Sequence, residues 1–555
     1  MSAVARVVTR VLRNPRLARV MGAYAVFTAT QNAVWIAMLV YAYGRGGAAT
    51  AGVVAVAQLV PAALVAPVAA DLADRRSPSG VLTAGYLGQV VGMLSAAAGI
   101  GSDLAPAAYA GAIMASVAVA TTRPAQAVVV PALVRSAEEL TGANALTGWL
   151  DSVGAVASGL GTGVLLAVAG PGWVFVVAGV AGLASVALAG TVRGIRTLST
   201  VEDPDGASAA LAGLRVLVRQ RAPRQLVTLL TAQWVVIGAL DLLFVVLAVD
   251  VLGAGEGWVG YLNTAYAAGG VVAGAVGIVL LGRSRLVVPI LGGVGLTGAA
   301  LAATTLSAST TATVLLLAAV GGGRVLFAVA TQSLLQRAVP ADVVGRVFGA
   351  VEALAMAGLA VGSLLVPLLS AAGGPVAAVL GTAAVLPLVA LVGGRALFAL
   401  DAAADVPLVE IALLRSLQVF RFLPIPALEG LARSAERIEL STADVLIREG
   451  DEGDRFYAVV DGGLDVSVHG RPAGRMARGD GVGEIALLKR VPRTATVTAA
   501  TPTSVLAVDR EAFLAAVGGH PGTGRTAAAV ADARLEADRR RAEGVPGGDL
   551  GTAAP

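Results

Sequence analysis

From residue 20 to 400 the chain is written in long apolar runs broken only at Arg clusters or Gly/Pro-rich turns; beyond 413 it changes to short alternating stretches between turns. A membrane span takes about 20 mostly apolar residues. On that measure the runs predict twelve spans, at 20–43, 47–70, 80–101, 104–134, 142–168, 171–192, 224–251, 257–282, 284–306, 309–337, 346–370 and 374–400. In the tail, 413–432 reads as helix broken at Pro424 and Pro426. Strand-like stretches follow at 437–440, 445–448, 456–460, 464–468, 495–499 and 504–508, separated by Gly/Asp turns. This predicts a small antiparallel β-roll between helices, ending in an Ala/Arg/Glu-rich helix at 526–542.

The charges divide at the same place. Residues 1–400 hold 22 Arg and 14 acids, whereas 401–555 hold 17 Arg, Lys489 and 22 acids. The overall 56% hydrophobic and 14% charged composition therefore averages a membrane part and a solvated part. With the N-terminus inside, 19 of the 22 Arg fall on the cytoplasmic side, so the positive-inside rule sets the orientation, and an even span count returns the tail to the cytoplasm. Val4 to Val20 is interrupted by five Arg and is expected to be a basic cytoplasmic segment, not a removable signal. There is no Cys for disulfides or thiolate metal sites, and His469 and His520 stand alone, so no metal is expected. Lys489 is the sole lysine and ends no G-x-x-x-x-G-K-[ST] loop, which excludes a Walker-type ATPase within the chain. No catalytic constellation is expected either.

The expected organisation is a basic segment (1–19), a first six-helix half (20–192), a central loop (193–223), a second half (224–400), a linker (401–412), a tail domain (413–520), a C-terminal helix (521–543) and a disordered end (544–555). A shift of 201 residues places Arg123 on Arg324, Asp151 on Glu352, Asn32 on Gln233, Gly148 on Gly349 and Gly161 on Gly362. Two arginines and two acids sharing one offset inside apolar spans predict a 6+6 repeat of the kind transporters use.

Residues 15–400 resemble the major facilitator superfamily, nearest its drug and macrolide exporter branch. Asp71-Leu72-Ala73-Asp74-Arg75-Arg76 resembles its loop signature, with Ala70 where that signature has Gly. Arg123-Pro-Ala-Gln126 is similar to the R-x-x-Q-G pattern of proton-coupled exporters, with Ala127 for Gly; in span 5, Ala157-Ser158 stand where Gly-Pro is expected. Residues 331–349 are also typical of the branch. The resemblance implies a secondary transporter, a proton-coupled exporter of hydrophobic or amphiphilic compounds, with Asp74, Arg75 and Arg76 as gating loop.

At 1.5 Å per residue Arg123 sits about 16 Å from the inner end of span 4 and Asp151 about 14 Å into span 5, so the two are expected to meet near the midplane. Arg324 and Glu352 would repeat them. Such a pair either fixes helix contacts or is protonatable and couples transport, since a lone mid-bilayer charge costs about 3 kcal/mol on the mildest scale. Asp241 in span 7 has no basic neighbour in sequence and is the further candidate proton carrier, a water-lined vestibule being the alternative. Asn32 and Gln233, with Gln31, Asn263 and Tyr266, are expected to line a cavity or to bond helix to helix.

In the tail, Val445-Leu-Ile-Arg-Glu-Gly450, Asp454-Arg-Phe-Tyr457 and the stretch Gly481-Val-Gly-Glu-Ile-Ala-Leu-Leu-Lys-Arg-Val-Pro-Arg-Thr-Ala-Thr-Val497 closely resemble the cyclic nucleotide-binding domain, over 437–517. Val482 stands where that family usually has an aromatic. Gly483 is expected to let the backbone approach a ligand, the helix from Glu484 to face it with free N–H groups, and Arg493 to grip the cyclic phosphodiester. Glu484 would accept the ribose 2'-OH. The resemblance adds Ile485, Ala486, Thr494 and Ala495 as contacts and implies a cyclic nucleotide, cAMP or cGMP, with cAMP slightly favoured. The function expected is a transporter regulated by cyclic nucleotide. The alternatives are a membrane-anchored nucleotide receptor without transport, or a nucleotide-regulated lipid or lysolipid flippase; oligomeric state is not readable.

Overall fold

The computed structural model describes residues 13–75, 77–135, 137–192, 221–277, 285–306, 309–338, 344–403, 408–518 and 521–542. The expected basic segment up to residue 12, the central loop from 193 to 220, the middle of the linker (404–407) and the end from 543 lie outside these. The described chain forms two compact units that part near residue 404.

The first unit is helical throughout. Its helices are α1 (Pro15–Arg75), α2 (Pro78–Gly101), α3 (Ala105–Leu133), α4 (Ala137–Val168), α5 (Pro171–Gly190), α6 (Arg221–Val246), α7 (Gly257–Gly277), α8 (Val287–Ala303), α9 (Thr310–Ala338) and α10 (Val344–Ala403). By length and composition nine of them, all but α7, reach spanning size among the described residues. The twelve-span count requires α7 as well, and requires α1 and α10 to be counted twice. Both of these are kinked at a Gly-Gly step: Gly47 has φ +63° and Gly374 has φ +74°, conformations that a side chain would strain. The kinks fall where the sequence predicts the turns between spans 1 and 2 and spans 11 and 12. Proline marks the starts of α2, α3 and α5, where its missing N–H removes no helix bond.

The two halves touch through small residues. Gly159 and Gly163 of α4 face Gly257 and Gly260 of α7 so closely that a methyl group at Gly257 would press within 2.7 Å of Ala167 Cβ and 2.9 Å of the Gly163 carbonyl. Gly52 of α1 lies against Ser363 and Pro367 of α10 in the same way. In lipid no hydrophobic force draws helix to helix, so close backbone approach and buried hydrogen bonds do this work. One such bond crosses from the first half to the second: Trp35 Nε1 of α1 donates to Asp241 Oδ2 of α6 at 2.9 Å. Further along, the Tyr43 hydroxyl of α1 donates to Asp250 in the π-helical turn (Leu247–Val251) that follows α6.

The second unit opens with α11 (Leu408–Ser416) and α12 (Ile425–Ser434), continues through β1 (Glu436–Leu440), β2 (Val445–Ile447), β3 (Arg455–Asp461), β4 (Gly463–Val468), β5 (Arg471–Ala477) and β6 (Gly481–Val482), then the short α13 (Glu484–Lys489), β7 (Thr496–Ala499), β8 (Thr503–Asp509), α14 (Arg510–Gly518) and α15 (Pro521–Ala542). Two antiparallel sheets form, ordered β1-β8-β3-β6 and β2-β7-β4-β5. Ile447, Tyr457, Val459, Leu464, Val482, Val497 and Val505 fill the space between them. Phe420, Phe456 and Phe513 stack helices onto the first sheet, with centroids 5.0 to 5.7 Å apart. The fold class is that expected: a helical membrane region followed by a β-sheet domain between helices.

Two strands escape the sequence pattern. β5 reads Arg-Pro-Ala-Gly-Arg-Met-Ala, without alternation, and is a strand because a hairpin pairs it along β4 from Gly463–Ala477 to Val468–Arg471. β6 is two residues long and exists through Tyr457–Val482 and Ala458–Gly481 pairing.

Candidate functional site

The cassette between β6 and β7 is organised around Arg493. This side chain is nearly buried, and its guanidinium donates from Nη2 to the Arg455 carbonyl (2.7 Å) and to Asp454 Oδ1 (3.3 Å), and from Nη1 to the Gly483 carbonyl (3.1 Å). It lies over the Tyr457 ring at 5.8 Å, and burial of that tyrosine raises its pKa. The Arg493 backbone is fixed as well: its N–H donates to Asp451 O (2.8 Å) and its carbonyl accepts from Gly450 N (2.9 Å). The acidic turn 449–454 thus holds the arginine 40 residues away in sequence. Arg455 turns its own guanidinium outward to Glu436 (2.7 Å) and Asp509 (3.0 Å), and the Glu436 bond raises its pKa.

Gly483 has φ +98°, and a Cβ there would stand 2.5 Å from Arg493 Nη1. The glycine therefore serves two needs, a left-handed turn and a seat for the guanidinium. Glu484 begins α13 directly after it and is 1% exposed. A buried carboxylate needs a partner, and it has one that the sequence did not announce: Arg534 of α15, whose Nη1 donates to Glu484 Oε1 at 2.7 Å and to the Gly481 carbonyl at 2.7 Å. Lys489 pairs with Asp532 a half turn away, so α13 and α15 share two ion pairs. Ile485 and Ala486 are buried on α13, Ala486 against Gly453, while Thr494 and Ala495 are half-buried beside Arg493. All seven expected cassette residues thus gather on one turn and its flanks. Asp454, Tyr457 and Arg534 join them, and only pairing across the sheets and the return of α15 could reveal these three.

In the bundle one face of α1 collects the charges. Tyr24, Phe27, Gln31 and Trp35 recur at helical spacing. The Tyr24 hydroxyl donates to Asp151 Oδ1 (2.7 Å), Arg123 lies over the Phe27 ring (5.9 Å) and donates from Nη2 to Gln31 Oε1 (3.3 Å), and Trp35 holds Asp241. The expected meetings of Arg123 with Asp151 and of Arg324 with Glu352 do not occur: neither pair is an ion pair among the described residues. For the first pair the reason is that α1 interposes better-placed partners, a phenol for Asp151 and an amide and a ring for Arg123. Arg324 instead lies over the Tyr266 ring at 5.5 Å, and its carbonyl accepts from Gln233 Nε2 at 3.0 Å. Glu352 is exposed and Asn32 half-buried. Of the gating loop, Asp74 and Arg75 fall in the last turn of α1, and Arg76 lies outside the described residues.

Residues 20–363 match the model of the Major Facilitator Superfamily and residues 437–520 that of the Cyclic nucleotide-binding domain. The first match spans more than half of the chain, which belongs to the Major Facilitator Superfamily and carries a cyclic nucleotide-binding domain after its helical bundle. It is a multi-pass membrane protein. The cAMP-dependent protein kinase regulatory subunit of Debaryomyces hansenii is 35% identical over 97 residues, 17% of this chain and 22% of that protein. That of Dictyostelium discoideum is 32% identical over 108 residues, 18% of this chain and 33% of that protein. The chain therefore spans a third or less of the length of these curated relatives. Among solved structures, the regulatory domain of Toxoplasma gondii PKA with cAMP shares 22% identity at a TM-score of 0.22, covering 24% of this chain and 52% of that one.

Proposed function

We propose that this regulated membrane transporter moves a hydrophobic or amphiphilic small molecule by proton-coupled export, and that cyclic nucleotide bound to its C-terminal domain alters the rate. The observation that carries the regulatory half is the placement of one buried cation, Arg493, and one buried carboxylate, Glu484, on either side of the Gly483 turn. A cyclic phosphodiester presents an anion and the attached ribose a hydroxyl, the two groups that such a pair recognises. cAMP is preferred to cGMP in this reading, in keeping with the names of the two curated relatives. The transport half is supported by Asp241, a carboxylate within the spans that is hydrogen bonded across the two halves, where gain of a proton changes a contact between them. In this reading the protein sits in the plasma membrane with both termini cytoplasmic, an orientation supported by the distribution of arginines. Neither family is enzymatic, and no catalysis is proposed.

The test is reconstitution into liposomes with candidate amphiphiles, an imposed pH gradient of either sign, and cAMP or cGMP on the tail side. Flux that follows the gradient and changes with nucleotide supports the reading. Nucleotide binding without flux under any gradient would leave the membrane-anchored receptor instead.

A further inference from the structure

Two neighbouring polar groups inside the bundle lack partners. Arg324 Nε and the Tyr266 hydroxyl are both buried, and among the described residues neither has an acceptor for its hydrogen; the guanidinium sits over that same ring at 5.5 Å, so the two donors adjoin each other. A buried donor left unpaired is costly, a charged one more so, and in hydrocarbon surroundings no bulk water relieves it. Arg123, the counterpart of Arg324 at the 201-residue shift, has Gln31 for a side-chain partner, whereas Arg324 Nε has none among the described residues. Gln233 anchors the Arg324 backbone and the Phe244 ring lies 5.5 Å from that of Tyr266, which holds both donors in place beside an apolar wall. Glu352, the acid expected to neutralise Arg324, forms no ion pair with it.

We propose that Arg324 and Tyr266 form a subsite for the anionic head of an amphiphilic substrate, a carboxylate or phosphate monoester on an apolar body. An N–H of permanent positive charge and an O–H beside it supply two donors to one anionic oxygen, an arrangement that neutral and cationic amphiphiles do not satisfy. Asp241 lies one turn from Phe244 on α6, the helix that meets the Tyr266 ring; a charge on it would oppose the anion, and its bond from Trp35 takes up part of that charge. The subsite rests on the proposed function only in treating the bundle as the substrate path.

The experiment measures equilibrium binding to the full-length protein in phosphatidylcholine nanodiscs, using four probes with one twelve-carbon chain: dodecanoate, dodecyl phosphate, dodecyltrimethylammonium and dodecanoylglycerol. Wild type should bind at least one anionic probe about tenfold or more tighter than the neutral one, and the comparison of the two anions identifies the head group. Arg324→Gln should erase that preference and leave dodecanoylglycerol binding unchanged, and Tyr266→Phe should reduce it severalfold. Should Arg324→Gln fold poorly, Tyr266→Phe and the salt sensitivity of wild-type anion binding carry the test. Cationic probe binding as tight as the anions, or equal loss of anionic and neutral probes in both variants, overturns the subsite. Tight anion binding with no flux under any gradient would keep the subsite and remove the transport reading; flux confined to neutral or cationic probes would do the reverse.

Discussion

Arg534 of the last helix donates to the buried carboxylate of Glu484 at 2.7 Å, reaching the opening residue of the cassette helix from 50 positions downstream. Glu484 is almost wholly enclosed, whereas Arg534 is about one-third exposed. The bond joins α15 to the element that carries the expected ribose contact, and partly neutralises a carboxylate that lies near the expected phosphate position.

Arg534→Ala should therefore lower nucleotide affinity about tenfold, because the Glu484 charge would then face the phosphate unrelieved. The same change should destabilise the tail by about 1 to 2 kcal/mol, less than for a fully buried pair because Arg534 is partly solvated. Adding Glu484→Gln to Arg534→Ala should recover part of the stability, and the double-mutant cycle read by calorimetry and thermal melting measures the coupling. Additive effects would mean that the two residues act independently.

Arg493→Ala removes the charged donor from the cassette and leaves the carbonyls of Gly483 and Arg455 without it. Nucleotide binding should weaken by about 2 to 5 kcal/mol. Arg493→Lys should recover little, since one ammonium cannot reproduce the planar fork that spans Gly483, Arg455 and Asp454. Calorimetric affinity for cAMP and cGMP in the three proteins checks both statements.

Gly483→Ala combines backbone strain at φ +98° with a methyl group 2.5 Å from Arg493 Nη1. A loss of about 1 to 2 kcal/mol in tail stability is expected from the left-handed conformation alone. Displacement of the guanidinium should add a loss of nucleotide affinity comparable to that of Arg493→Lys. Wild-type affinity in this variant would show that Arg493 does not need the seat described here.

Asp241→Asn keeps an oxygen to accept from Trp35 but removes the titratable proton. Flux in proteoliposomes should lose its dependence on the pH gradient while downhill movement of substrate persists. Trp35→Phe should behave oppositely, retaining the pH response and altering the maximal rate, because only the cross-half bond is lost. Unchanged pH-driven flux in Asp241→Asn would remove this residue from the coupling reaction.

By itself the sequence determined the two solvents, the apolar runs, the break near 400, and the cassette from Gly481 to Val497, because these depend on local composition and on contiguous residues. The Gly-Gly kinks at 46–47 and 373–374 were legible as turns for the same reason, a glycine conformation being a property of the residue that adopts it. Tertiary structure alone decided the partners. Arg123 and Asp151 lie at plausible depths to meet, yet α1 offers Phe27, Gln31 and Tyr24 first, and depth along two helices says nothing about their rotation. Strand β5 has no pattern of its own and exists through β4. Arg534 in an Ala/Arg/Glu-rich helix looks like any solvated arginine until α15 returns to Glu484. Hydrogen bonds and ion pairs act over a few ångströms, so side chains far apart in sequence acquire a role only once packing has fixed which of them are neighbours.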